Sequence, residues 1–455
     1  MTAFPAPTPQ CPDDGALEAQ IRRAEPCWWI NPACTATPEP GAVTALQIDT
    51  AVQRFARAQN LLQRVFPALR ETGGRIASPL LRASALQQAL GLNVDEGQLW
   101  IQCDHLLPVA GSVKARGAMH EVLEFAEGLA VAHGLIEAHS DLAPLADAPA
   151  RALFAQHEIV VGSTGNLGLG VGLIATALGF RARVHMSQDA KAWKKDRLRA
   201  HGVLVVEHAG DYERAVHAGR EAAARDPACH FVDDEQSRSL LLGYSAAAAD
   251  LQERLQGVGV RVDAAHPLFV YLPCGVGGAP GGIALGLRER LGAHVHCFFA
   301  EPVQSPCMLV QLRAGMAQHP SVYDWGLCNR TEADGLAVPR ASLLAAGLMR
   351  ERVAGIYTET DDALFAHLAH AHTAEGLRLE PSAAAGLAGP LRLVRSAAGR
   401  AWLKEQGLLK LLPRATHLAW TTGGALLPDA EFAQFLERGG AAARMQAQGE
   451  THDQH

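Results

Sequence analysis

Between residues 158 and 301 one pattern recurs: an apolar run, a short loop and a helical period. EIVVG (158–162) leads through a glycine-rich loop into LGLGVGLIATALGF (167–180). RARVHM (181–186) leads into AKAWKKDRLRAHG (190–202), and VLVVEHA (203–209) into DYERAVHAGREAAARD (211–226). HFVDD (230–234) precedes a helical stretch over 238–256. LFVYLP (268–273) meets a second glycine-rich loop and GGIALGLRERLG (281–292), and HVHCFFAEP (294–302) closes the series. Strand, loop and helix in alternation, with glycine at the strand C-terminal ends, predict a parallel α/β sheet. Ligands of such sheets sit beyond the carboxyl ends of the strands, where both glycine-rich loops fall.

Outside this region, AVQRFARAQNLLQRVF (51–66) has helical periodicity. Residues 1–45 are proline-rich and read as an irregular arm, and 437–455 read as a flexible, polar tail. At 455 residues the chain is long enough for a large core without staples. Forty Lys+Arg against 47 Asp+Glu leave a net charge of −7, which argues against a nucleic-acid or anionic-membrane partner. Nine dispersed cysteines with no CxxC pair fit a reducing, cytoplasmic setting better than a disulfide framework. The N-terminus lacks a secretory pattern, and no apolar run is long enough for a membrane span.

Three motifs carry chemistry. PCGVGGAPGG (273–282) follows a strand and opens a helix. Its glycines free backbone amides to converge at a helix N-terminus, a phosphate cradle by physics. It lacks the Lys-Ser/Thr ending of a nucleotide P-loop, and a tight strand-to-helix turn is the plainer alternative. GSTGNLGLG (162–170) sets Ser163, Thr164 and Asn166 among glycines, a loop suited to a carboxylate. Its plainer reading is an N-cap.

The third motif is PVAGSVKARGAMHEVL (108–123). Lysine occurs only at 114, 191, 194, 195, 404 and 410. Lys114 stands at a helix start, where the positive dipole end disfavours an ammonium, and so is the candidate Schiff-base amine. Lys194 and Lys195 read as solvated residues on a charged helix face, and Lys404 and Lys410 as ordinary surface cations. A phosphate cradle, a carboxylate loop and a helix-start lysine together point to pyridoxal phosphate and an amino-acid substrate.

Read as a set, GSVKARG (111–117), GSTGNLGLG, PCGVGGAPGG, FFAEPVQSPCM (298–308), ADGLAV (333–338), LEPSAAAG (379–386) and TTGG (421–424) closely resemble the bacterial D-serine dehydratases (D-serine ammonia-lyases). These are pyridoxal-phosphate enzymes of fold type II, the tryptophan synthase β-like fold. The likeness runs in order over about residues 100–430. It implies an α/β chain with two open, mostly parallel sheets and the cofactor in the cleft between them. The resemblance makes Lys114 the Schiff-base lysine and puts Gly275, Val276, Gly277 and Gly278 in the phosphate loop. Asn166 faces the cofactor's 3′-oxygen, and Thr422 sits at the pyridine nitrogen. Ser163, Thr164 and Gly165 bind the substrate carboxylate.

Thr164, Asp234 and Cys307 are candidates for substrate-facing or proton-handling roles. Asp234 also reads as a strand-end cap and Cys307 as a small buried hydrophobe. Glu301 and Glu380 are possible ligands of a monovalent cation such as potassium. Ala279, Ala425 and Val113 depart from the family pattern without removing a functional group. The implied reaction eliminates water from D-serine to give pyruvate and ammonia. Alternatives are another hydroxy amino acid (D-threonine or an L-isomer), a non-catalytic metabolite-binding relative, or a nicotinamide-dependent dehydrogenase. The expected organisation is an arm (1–45), a large cofactor-binding domain (46–150 and 240–436), a small domain with the asparagine loop (151–239) and the tail. A monomer or small homo-oligomer fits.

Overall fold

A computed structural model of the chain describes residues 14–452 apart from 164, 189, 210 and 211. Its strands are β1 (Trp28–Ile30), β2 (Leu80–Arg82), β3 (Gln98–Cys103), β4 (Glu158–Gly162), β5 (Arg181–Ser187), β6 (Leu204–His208), β7 (Cys229–Val232), β8 (Leu268–Pro273), β9 (Val295–Pro302), β10 (Val353–Glu359) and β11 (Thr416–Thr421). They form two sheets. One has the order β1-β10-β9-β8-β11-β3-β2, and the other β6-β5-β4-β7. The small sheet is parallel throughout. In the large sheet the five inner strands are parallel, and the edge strands β1 and β2 pair antiparallel.

The large sheet is covered on both faces, which explains why its central strands read as continuous apolar runs. Val270, Leu272, Phe299 and Trp420 enter the core on one face. Phe269, Tyr271, Phe298 and Tyr357 alternate with them into the core on the other.

The arm contributes more than irregular chain. Helix Asp14–Arg22 precedes β1, which caps the edge of β10. Trp28 stacks on Tyr357 at 5.3 Å, and Asn31 donates from Nδ2 to the carbonyls of Arg350 and Val353. At the other end, helix Asp429–His452 runs through the stretch read as a tail.

Helix Lys114–Ala132 joins the two halves. It follows β3 of the large sheet and packs against helix Asn166–Leu178, which follows β4 of the small one. A Cβ on Gly170 would stand 2.9 Å from that of Ala118, so glycine lets the two helices approach. The helix start is pinned by a buried ion pair. Arg116 reaches Asp104 through Nε and Nη2, both at 2.8 Å, and Ser78 adds a hydroxyl at 2.6 Å. Burial alone would raise the Asp104 carboxyl, but Arg116 and Ser78 hold it below its ordinary range.

Candidate active site

A cavity lies between the carboxyl ends of the two sheets. Its wall includes Lys114, Ser163, Gly165, Asn166, Asp234, Gly275, Val276, Gly277, Glu380 and Thr422, so the fold gathers most of the sequence-derived candidates around one space.

The glycine loop forms one wall. Helix Gly278–Leu291 begins at an N-cap, Gly277, that has φ +105 and no capping side chain. An L residue adopts that backbone only with strain. The first-turn amides of any helix lack intrahelical partners, so here they are free to meet an anion. The loop is fixed from behind: Cys307 Sγ donates to the Gly275 carbonyl at 3.2 Å, and the Ser342 amide donates to the Val276 carbonyl at 2.8 Å.

Lys114 is the first residue of its helix. The TTGG turn after β11 sets its position, since the Val113 amide donates to the Thr422 carbonyl and Ser112 bridges Gly423. Its Nζ donates to both oxygens of Asp234, at 2.8 and 3.1 Å. Asp234 follows β7, so this contact also spans the two sheets. The ammonium lies 5.8 Å from the centre of the Tyr244 ring.

The asparagine loop forms the facing wall. Ser163 Oγ accepts the amides of Gly165 and Gly168, at 3.1 and 3.0 Å, so this hydroxyl shapes the loop as a cap does. Asn166 Nδ2 donates to Glu380 Oε1 at 2.8 Å. Burial pushes the Glu380 carboxyl up to about 7, although Lys194 pulls it the other way. Gly423 admits this contact, because a Cβ there would stand 2.3 Å from Glu380 Oε1. Thr164 lies outside the described residues.

Two candidates stand behind the wall. Cys307 is fully buried against the glycine loop. Glu301 is also fully buried, and its two oxygens accept the amides of Met308 and Leu309, at 2.8 and 2.9 Å, so it caps helix Cys307–Ala314. Among the described residues no group of three or more His, Cys, Asp or Glu side chains is assembled that could hold a metal ion.

The reading of Lys194 and Lys195 as solvated cations is corrected. Both are buried. Lys195 pairs with Glu207 at 2.7 Å, and Lys194 lines the cavity and pairs with Asp334 at 3.0 Å. The available signal was the spacing of Lys194 and Leu198, which share one buried face of helix Ala192–Ala200. Asp334, Gly335 and Ser382 also line the cavity, and the Gly335 amide donates to Ser382 Oγ. Asp334 and Gly335 carried no assigned role in the motif that contains them.

Comparison with known proteins decides the family. The model of the family described as "Pyridoxal-phosphate dependent enzyme" matches residues 72–402. The chain belongs to the pyridoxal-phosphate dependent enzymes. A protein named probable D-serine dehydratase from Acidovorax ebreus (strain TPSY) is 60% identical over 452 residues, covering 97% of this chain and 100% of that protein. One of the same name from Paracidovorax citrulli (strain AAC00-1) is 65% identical over 368 residues, 81% of this chain and 82% of that one. Among solved structures, diaminopropionate ammonia lyase from Escherichia coli, in complex with D-serine, superposes with a TM-score of 0.70 at 17% identity. The match covers 92% of this chain and 98% of that one. Serine racemase from Dictyostelium discoideum gives a TM-score of 0.59 at 16% identity, over 85% of this chain and 99% of that one. These two likenesses establish the shared fold.

The wall suits the family's cofactor. Uncapped helix amides beside three glycines match a phosphate, an amine stands at the cavity, and Asn166 and Thr422 offer neutral polar groups.

Proposed function

We propose that this chain eliminates water from D-serine, giving pyruvate and ammonia with bound pyridoxal phosphate. The observation that carries this reading is Lys114 held by Asp234 at a glycine-walled cavity, in a chain 60% identical over nearly its whole length to a probable D-serine dehydratase. When bound, pyridoxal phosphate supplies an aldehyde that condenses with amines and a ring that delocalises negative charge from the α-carbon.

The rest is done by the chain's own side chains. In this reading the amides of Gly275–Gly278 hold the phosphate, and Lys114 anchors the cofactor and yields its place to the substrate amine. Asp234 orients the Lys114 amine and balances its charge. Asn166 and Thr422 hold the ring at two edges, and a neutral hydroxyl at the ring nitrogen favours prompt loss of the β-hydroxyl. The asparagine loop, through Ser163, Thr164 and Gly165, receives the carboxylate. Lys114 Nζ and the Thr164 hydroxyl are the groups proposed to move the α-proton.

The test is an absorbance spectrum of the purified holoenzyme before and after D-serine, with pyruvate measured alongside. A visible or near-ultraviolet band perturbed by D-serine, and pyruvate formed faster from D-serine than from L-serine or D-threonine, are the expected results. Lys114→Ala should lose the band and at least about 10²- to 10⁴-fold of the turnover. A band retained in that variant overturns the assignment of Lys114, and preference for another substrate overturns D-serine.

A further inference from the structure

Lys194 has no place in the reading above, yet it is the second amine at the cavity wall. Its helix, Ala192–Ala200, packs on helix Asn166–Leu178 where Leu198 meets Gly172. From there the side chain crosses from the small sheet's half to the short 3₁₀ helix Asp334–Leu336 and pairs with Asp334 Oδ2 at 3.0 Å. The two side chains are 3% and 33% exposed. The amine also lies against the asparagine loop, since a Cβ on Gly165 would stand 2.8 Å from Nζ. Burial alone would lower the Lys194 pKa, but Asp334 and then Glu380 raise it, so the position carries a full positive charge. A buried ammonium is costly unless an anion meets it.

We propose that Lys194 is the specificity residue that reads the substrate's carboxylate, with Asp334 competing for the same ammonium. The proposal rests on the function above and deepens it. An amino acid brings one cation and one anion into the cavity. Lys194 repels the substrate's ammonium and attracts its carboxylate, so it turns the amine towards Lys114 and the carboxylate towards Gly165. Its ion-pair partner, Asp334, shows that the ammonium can be reached by a carboxylate. Asp334, one-third exposed at the rim, is the partner that yields.

The test uses the holoenzyme and two ligands without a β-leaving group: D-alanine, which has the carboxylate, and D-alaninamide, in which a neutral amide replaces it. Binding is read from the cofactor absorbance. Lys194→Met should weaken D-alanine by about 10- to 100-fold, the worth of a lost charge-assisted hydrogen bond. It should leave D-alaninamide and pyridoxal phosphate within about twofold, and Lys194→Arg should recover part of the loss. Asp334→Asn should tighten D-alanine by removing the competitor, a result that stands even where Lys194→Met fails to fold. Equal effects on both ligands, no effect on D-alanine, or weaker D-alanine binding in Asp334→Asn would overturn the role of Lys194. A wild-type enzyme that neither responds to D-alanine nor converts D-serine overturns the proposed function instead.

Discussion

The two glycine-rich loops face one cavity but are held in different ways. The loop after β8 lies deep in the large body: every residue of 274–278 is buried, and bonds from Cys307 and Ser342 fix two of its carbonyls from behind. The described residues of the loop after β4 are buried too, except half-buried Asn166, but this loop is held through Ser163 and is met by polar groups that reach across the cavity. Asn166 reaches Glu380, and its neighbour Lys194 reaches Asp334. Its own strand, β4, is buried throughout like β8, but the small sheet's edge strands β6 and β7 are mostly part-buried or exposed. The wall proposed for the phosphate is fixed from behind, whereas the wall proposed for the substrate is met by hydrogen bonds and charge from across the cavity. Substitutions on the first should disturb cofactor affinity, and those on the second substrate affinity.

The largest effect should come from the element the two walls share. Arg116→Met removes the partner of Asp104, whose carboxylate is fully buried. An orphaned buried charge costs about 3–5 kcal/mol, so urea unfolding of the variant should show a loss of that order, with both walls failing together. A loss under about 1 kcal/mol would mean that helix Lys114–Ala132 is held mainly by its apolar packing.

A smaller, one-sided effect is expected at Gly277. An alanine there must hold φ near +105, and its Cβ would stand 2.3 Å from Met308 Cε. The methionine end can move, but the backbone strain stays, at about 1–3 kcal/mol. Gly277→Ala should therefore raise the Kd for pyridoxal phosphate by about tenfold or more. Once the variant is saturated with cofactor, D-alanine affinity should be close to wild type. A variant that lost D-alanine affinity while keeping its cofactor would break the division between the walls.

What could be read ahead of the structure follows the same division. EIVVG and LFVYLP are the full extents of β4 and β8, because strands buried on both faces read as unbroken apolar runs. The loops that follow them announce themselves through glycine. Which strands share a sheet is not legible in the local pattern, because every strand of a parallel α/β pattern carries the same signature; the expected division at 151–239 comes from the family resemblance. β1 escaped for a related reason: three residues of a proline-rich arm become a strand only because the β10 edge is there to pair with. Lys194 escaped because burial of a lysine is decided by what crosses the cavity to meet it. In KAWKKDRL the charged letters are those of a solvated face.

The smallest effect should come from Cys307, the candidate that most sharply tests which groups belong to the wall and which to its backing. Its Sγ donates to the Gly275 carbonyl. Burial, and next the charge of Glu301, push the thiol well above its ordinary pKa, so it stays protonated and serves as a donor. A thiol in that state, fully buried behind the loop, cannot accept an α-proton. Cys307→Ala removes one weak hydrogen bond and little volume, so kcat and KM should stay within about threefold and stability within about 1 kcal/mol. A proton-handling group would cost about 10²-fold or more in kcat with cofactor affinity intact. A drop of that size would move Cys307 from the backing to the reacting face. A rise confined to the Kd for pyridoxal phosphate would instead show that the Gly275 carbonyl needs its donor to keep the phosphate wall in shape.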